Sequence, residues 1–181
     1  MVDTIRTLDA IVALFADNTA GDISEQDIRD LVVSLAPGHG MLYLVTPAAN
    51  VLSDTTTWVQ VGGAFTLSGS AYNWAETAEG QLHYDSAGDR DAHVTASLTC
   101  TSASNSQILE FAIALNGTPV TGSAILHKTG TGSDVISISL TAHVDVSDGD
   151  YVSLMLRNTS SASNVTVQRC VLVVNDMPDE D

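Results

Sequence analysis

From Ile136 the chain alternates. Ile136, Ile138, Leu140, Ala142, Val144 and Val146 fall on one side of an extended segment, and Ser137, Ser139, Thr141, His143 and Asp145 fall on the other. Period two over this length predicts a long strand with one buried face. Ser147-Asp148-Gly149-Asp150 interrupts it with turn residues. Alternation then resumes, with Val152, Leu154 and Leu156 opposed to Tyr151, Ser153, Met155 and Arg157. Two such runs joined by a short Asp/Gly turn predict a β-hairpin. A hairpin leaves its apolar face uncovered, so a second sheet is required.

The rest of the chain supplies it. Short runs at 58–61, 65–67, 72–74 and 81–84 are followed by longer ones. Val94, Ala96, Leu98 and Cys100 alternate with His93, Thr95, Ser97 and Thr99, and Leu109, Phe111, Ile113 and Leu115 share a face before the Asn116-Gly117 turn. Residues 124–128 and 165–174 complete the set. Many short strands separated by Gly, Ser and Asn turns, without intervening helices, predict a mainly β, antiparallel jelly-roll sandwich over residues 58–175. Its expected core includes Leu98, Phe111, Ile113, Ile138, Leu140, Val152, Leu154 and Leu156. Residues 37–57 read as a linker holding one β-prone run, Met41 to Val45, and residues 176–181 as an acidic tail.

Periodicity near the N-terminus is helical instead. Ile5, Leu8, Ile11, Val12 and Phe15 make one apolar stripe. Ser24, with Asp27 three residues on, opens a second helix in the manner of a capping box. Ile28, Leu31, Val32 and Leu35 form its stripe, and Pro37-Gly38 stop it. Residues 1–36 thus predict a small helical hairpin that buries too little surface to stand alone. Its stripes need a partner: the β domain, other copies of the chain, or another protein. An intermolecular anchor or oligomer contact through Ile5, Leu8, Ile11, Val12, Phe15, Ile28, Leu31 and Leu35 is the favoured expectation.

Charge narrows the partners. Twenty-two acidic against 6 basic side chains give a formal net charge of −16, which disfavours nucleic acid and anionic membranes. No run approaches the ~20 apolar residues of a membrane helix. Asp3, Arg6 and Asp9 interrupt any secretory signal, so folding in a cytoplasm is expected, with Cys100 and Cys170 as free buried thiols. The histidines at 39, 83, 93, 127 and 143 are scattered singly, with no nucleophile or paired acid that would make a catalytic set. Two acidic groups, Asp85/Asp89/Asp91 and Asp145/Asp148/Asp150, offer the oxygens that calcium takes, but neither follows EF-hand spacing. The expectation is a non-enzyme without metal or cofactor. Tyr151 and Met155, large and apolar on the strand face expected to be exposed, are the candidate subunit interface.

Several stretches resemble a known family. Gly80-Gln81-Leu82-His83-Tyr84, Arg90 leading into His93 to Leu98, Phe111 to Gly117, and above all Val146-Ser147-Asp148-Gly149-Asp150-Tyr151-Val152-Ser153-Leu154 resemble the C1q/TNF-like jelly roll as found in virion proteins of tailed bacteriophages. The stretch from Leu8 through Phe15 and Ile23 to Ser34 is similar to the short helical module that precedes such domains. The resemblance implies a homotrimer made through the outer face of one sheet. It implies a structural role in a phage particle, made in the host cytoplasm, with another virion protein as partner. A capsid decoration, cement or head-fibre role is favoured; a tail-fibre or receptor/glycan-binding module is the alternative. A glycan depolymerase would need paired carboxylates, and none stands out.

Overall fold

The computed structural model describes Arg6, Ala10, Ala13, residues 23–131 and residues 134–178. Helix α1 (Glu25–Leu35) opens at Ser24, whose hydroxyl accepts the Asp27 amide at 3.2 Å while the Asp27 carboxylate accepts the Ser24 amide at 2.9 Å. The predicted capping box is therefore made in both directions. These bonds hold the Asp27 carboxyl below its ordinary range. The helix buries its polar side: Asp30 and Ser34 are covered, with Arg6 donating its amide to Ser34 Oγ at 2.7 Å and pairing with Asp30 at 2.8 Å. Ile28, Val32 and Leu35 are left 47%, 62% and 47% exposed. Ile5, Leu8, Ile11, Val12 and Phe15 of the expected anchor lie outside the described residues.

Strands β1 (His39–Pro47), β2 (Ala49–Asn50), β3 (Val59–Gln60), β4 (Gly63–Leu67), β5 (Trp74–Ala78), β6 (Gln81–Tyr84) and β7 (Arg90–Ser102) come first. They are followed by β8 (Ile108–Leu115), β9 (Thr118–Pro119), β10 (Ile125–Lys128), β11 (Ile136–Val146), β12 (Tyr151–Asn158) and β13 (Val165–Pro178). One sheet has six strands in the order β11-β7-β13-β1-β4, with β2 added on β13. The other has seven, β10-β8-β12-β6-β5, with β3 on β12 and β9 on β8. Pairing between neighbours is antiparallel, as in the β7–β13 and β8–β12 ladders.

Three expectations need correction. Alternation in β11 and β12 is real, but the two do not form a hairpin: β11 pairs with β7 in one sheet and β12 with β8, β6 and β3 in the other. The turn at 147–150 crosses between layers. Gly149 supplies its positive φ of 86°, and the turn is clamped to β6 by Gly149 N–H to Tyr84 O at 3.0 Å and Tyr84 N–H to Asp150 O at 2.8 Å. Turn chemistry is the same in a hairpin and in an arch between sheets. Only the distant partner strands decide which forms.

Second, residues 37–57 are not merely a linker. β1 runs between β13 and β4 and places Leu42 and Leu44 in the core. At the other end β13 continues to Pro178, into the stretch expected to be an acidic tail, and Asp176 is fully buried. Third, β12 is shielded on both faces. Met155, flanked by Ala112 and Gln60, is only 8% exposed, and Ser153 is buried.

The core follows the predicted parity. β11 alternates buried and exposed over its whole length. Leu98, Phe111, Ile113, Ile138, Leu140, Val152, Leu154 and Leu156 all belong to one buried cluster between the sheets. Cys100 and Cys170 are free buried thiols, as expected, and burial pushes both up to about 12.

Candidate interaction surface

The outward face of the six-stranded sheet is assembled by register. His39, Asn175, His93 and His143 form one row across β1, β13, β7 and β11. Met41, Val173, Thr95 and Thr141 form the next, and Tyr43, Val171, Ser97 and Ser139 the third. Arg169, Thr99 and Ser137 make a fourth. On β7 and β11 like faces like. The His93 and His143 rings stack with centroids 4.8 Å apart, and the Ser97 and Ser139 hydroxyls lie 3.4 Å apart. His93 Nε2 bonds the Thr141 hydroxyl at 2.9 Å.

Beyond the histidine row Asp91 stands opposite Asp145, and His143 Nδ1 lies 3.5 Å from the Asp91 carboxylate. Opposed like charges weaken a ladder. Within the four rows, Arg169 is the one Lys, Arg, Asp or Glu side chain. That is a neutral face on a chain of net charge −16. Its hydroxyls donate and accept equally well, so it can meet another copy of itself without mismatched hydrogen bonds.

A break in the alternation of β13 positions Arg169. The register with β7 shifts between Val167 and Arg169, leaving Gln168 as the extra residue of a bulge. Before it Val165 and Val167 are buried, and after it Cys170, Leu172 and Val174 are. The shift turns Arg169 outward, where it donates to the Gln168 carbonyl at 2.8 Å. Beside it a groove of about 420 Å³ is lined by Tyr43, Ser97, Thr99, Ser139, Arg169 and Val171 among others. Tyr43 and Val171 are exposed. The apolar stripe of α1 is a second uncovered surface.

The predicted interface pair sits elsewhere. Tyr151 and Met155 are on the seven-stranded sheet, where Tyr151 stacks on His83 at 5.0 Å and its amide donates to Asn116 at 3.0 Å. Met155 is buried against its expected exposure, while Tyr151 is half-buried. Arg157 lies 4.6 Å over the Trp58 ring and its Nε bonds Glu110 at 2.5 Å. The acidic groups are dispersed. Asp150 accepts Asn116 Nδ2 at 2.6 Å and the Ser147 amide at 2.9 Å within the turn, while Asp91 and Asp145 lie on strands. Among the described residues no group of three or more His, Cys, Asp or Glu side chains converges as a cation site.

No family model and no curated protein sequence matches the chain. Solved structures do. The structure of Eiger TNF from S. frugiperda is 10% identical and superposes with a TM-score of 0.52, covering 81% of this chain and 95% of that one. Murine APRIL at pH 5.0 is 8% identical with a TM-score of 0.47, covering 75% of this chain and 98% of that one. The fold is a TNF-like jelly roll. At this identity the likeness speaks for the fold alone. Within the TNF-like jelly roll, Tyr151 and Met155 lie on β12 of the seven-stranded sheet, and the open, neutral surface lies on β1, β13, β7 and β11 of the other. One signal for it was present in the sequence. The spacing Val165, Val167, Cys170, Leu172, Val174 changes parity once, and that change marks the bulge.

Proposed function

We propose that this chain is a non-enzymatic structural component of a tailed-phage particle. It assembles as a homotrimer through the neutral face of the six-stranded sheet and is fixed to the shell by its N-terminal helices, as a decoration, cement or head-fibre protein. The observation that carries the attachment is the orientation of α1. Its polar residues Asp30 and Ser34 are sealed by Arg6, while Ile28, Val32 and Leu35 stand exposed at i, i+4 and i+7. An apolar stripe left in water costs about 25 cal/mol per Å² that a partner surface can recover. The phage assignment is supported by the resemblance of the 146–154 stretch and of the helical module.

The test uses the full chain. Ile28→Glu together with Val32→Glu changes exposed positions, so the melting temperature should stay near that of the parent while binding to purified particles is lost. Undiminished decoration by this variant would sink the anchor reading. Copy number in the intact particle separates a shell protein from a tail fibre, and absence from the particle overturns the phage reading altogether.

A further inference from the structure

We infer that Arg169 is the cationic anchor of the contact between copies, receiving a carboxylate of the neighbouring chain in the groove beside Tyr43. This rests on the trimeric reading above. It begins with an inventory of the 6 basic side chains. Arg90 is buried, Arg6 pairs with Asp30, Arg29 with Glu25, and Arg157 with Glu110. Lys128 lies on β10, the edge strand of the other sheet. Only Arg169 stands on the neutral face, and its one hydrogen bond to protein is the Nη1–H donated to the Gln168 carbonyl. Nη2 and Nε remain available as a fork, the geometry that matches a carboxylate.

The surroundings set the occupant. Closing this face against another copy takes Arg169 out of water. A guanidinium taken out of water needs acceptors from the neighbour, and a carboxylate supplies two oxygens and a compensating charge at once. Against 6 basic residues the chain carries 22 acidic ones, so a carboxylate is what a second copy has in excess. Tyr43 and Val171 give the groove apolar walls, while Ser97, Thr99 and Ser139 offer hydroxyls to a carboxylate's remaining lone pairs. A three-fold ring joins different patches of successive copies, so the donor of that carboxylate need not lie near Arg169 in its own chain.

Sedimentation equilibrium on the full chain tests this with three proteins. Arg169→Gln should raise the concentration at half-assembly by roughly tenfold or more, the scale of a close charge pair between proteins. Thr99→Asp puts a carboxylate directly across the ladder from Arg169. It should satisfy the guanidinium within the chain and weaken assembly comparably, with circular dichroism unchanged. Lys128→Gln removes the same charge from the other sheet and should leave assembly as it was. If the parent chain assembles and both Arg169→Gln and Thr99→Asp assemble at the parent's midpoint, the anchor role is overturned and the trimer stands. If all three variants weaken assembly alike, bulk charge is responsible and the anchor role is again overturned. A parent chain that stays monomeric overturns the trimer and this inference together.

Discussion

Asp176 takes the indole N–H of Trp74 at 2.5 Å, far along the chain and fully inside the sandwich. Its other carboxylate oxygen accepts the Gly38 amide at 2.8 Å, and the Asp176 amide donates back to the Gly38 carbonyl at 3.0 Å. A single acid on the last strand therefore fastens β5 and the junction between α1 and β1. Gly38 is required by close approach: a Cβ there would stand 2.1 Å from the Asp176 carboxylate. Trp74→Phe, which strands a buried acceptor, should cost about 1–3 kcal/mol. Gly38→Ala should cost at least as much. Urea unfolding followed by tryptophan-independent circular dichroism reads both, and a neutral Gly38→Ala would refute the clamp.

Phe111→Ala should lose ~3–5 kcal/mol, because its side chain is completely enclosed between the sheets. Leu126→Ala, at an edge position 61% exposed, should change stability by less than about 0.5 kcal/mol. Equal effects at the two sites, measured as denaturant midpoints, would contradict the core as described.

The two thiols give a pH prediction with a definite sign. Cys100 and Cys170 ordinarily ionise near 9.0, and burial raises both to about 12. Between those values the unfolded chain has released protons that the folded chain still holds, so stability falls as pH rises. Below about pH 9 the thiols contribute no slope. Tyr84, raised above 10.0 chiefly by burial, acts in the same direction further up. Native protein at pH 8 should leave a thiol reagent unreacted until denaturant is added. Rapid labelling of either cysteine without denaturant would show that its strand opens.

Assembly should strengthen with salt at the low end. Each copy brings a net charge of −16 to its neighbours, and raising ionic strength from ~0.01 M to ~0.15 M shortens the screening length from ~30 Å to ~8 Å. Light scattering at fixed protein concentration should show the trimer fraction increasing over that range. A trimer that dissociates across it would mean that attraction between unlike charges at the contact outweighs the repulsion of the net charges.

Much of this molecule is legible along the chain because parity is local. The full alternation of β11, the capping box at Ser24 and Asp27, and the buried set from Leu98 to Leu156 all depend on residues within a few positions of one another. What failed depends on pairing across long separations. β1 joins the core through its distant partners β13 and β4, Val174 of β13 lying opposite Gly40. The Asp/Gly turn after Val146 reads as a hairpin until β7 and β8 claim β11 and β12 separately. Alternation puts Met155 on the face opposite the core, and alternation does not show what covers that side. Arg169 escaped notice since one extra residue, Gln168, inverts which side of β13 faces water.

The Gly38–Asp176 junction also gives the sandwich a direction. α1 leaves it where His39 lies opposite Asn175, whereas Val165 lies opposite Ser102 at the other end of the same sheet, next to the Ser/Thr-rich segment 159–164. On the attachment proposed above, that hydroxyl-rich end is the end of the sheet away from the helix. A foreign peptide could be carried there without touching the Gly38–Asp176 junction.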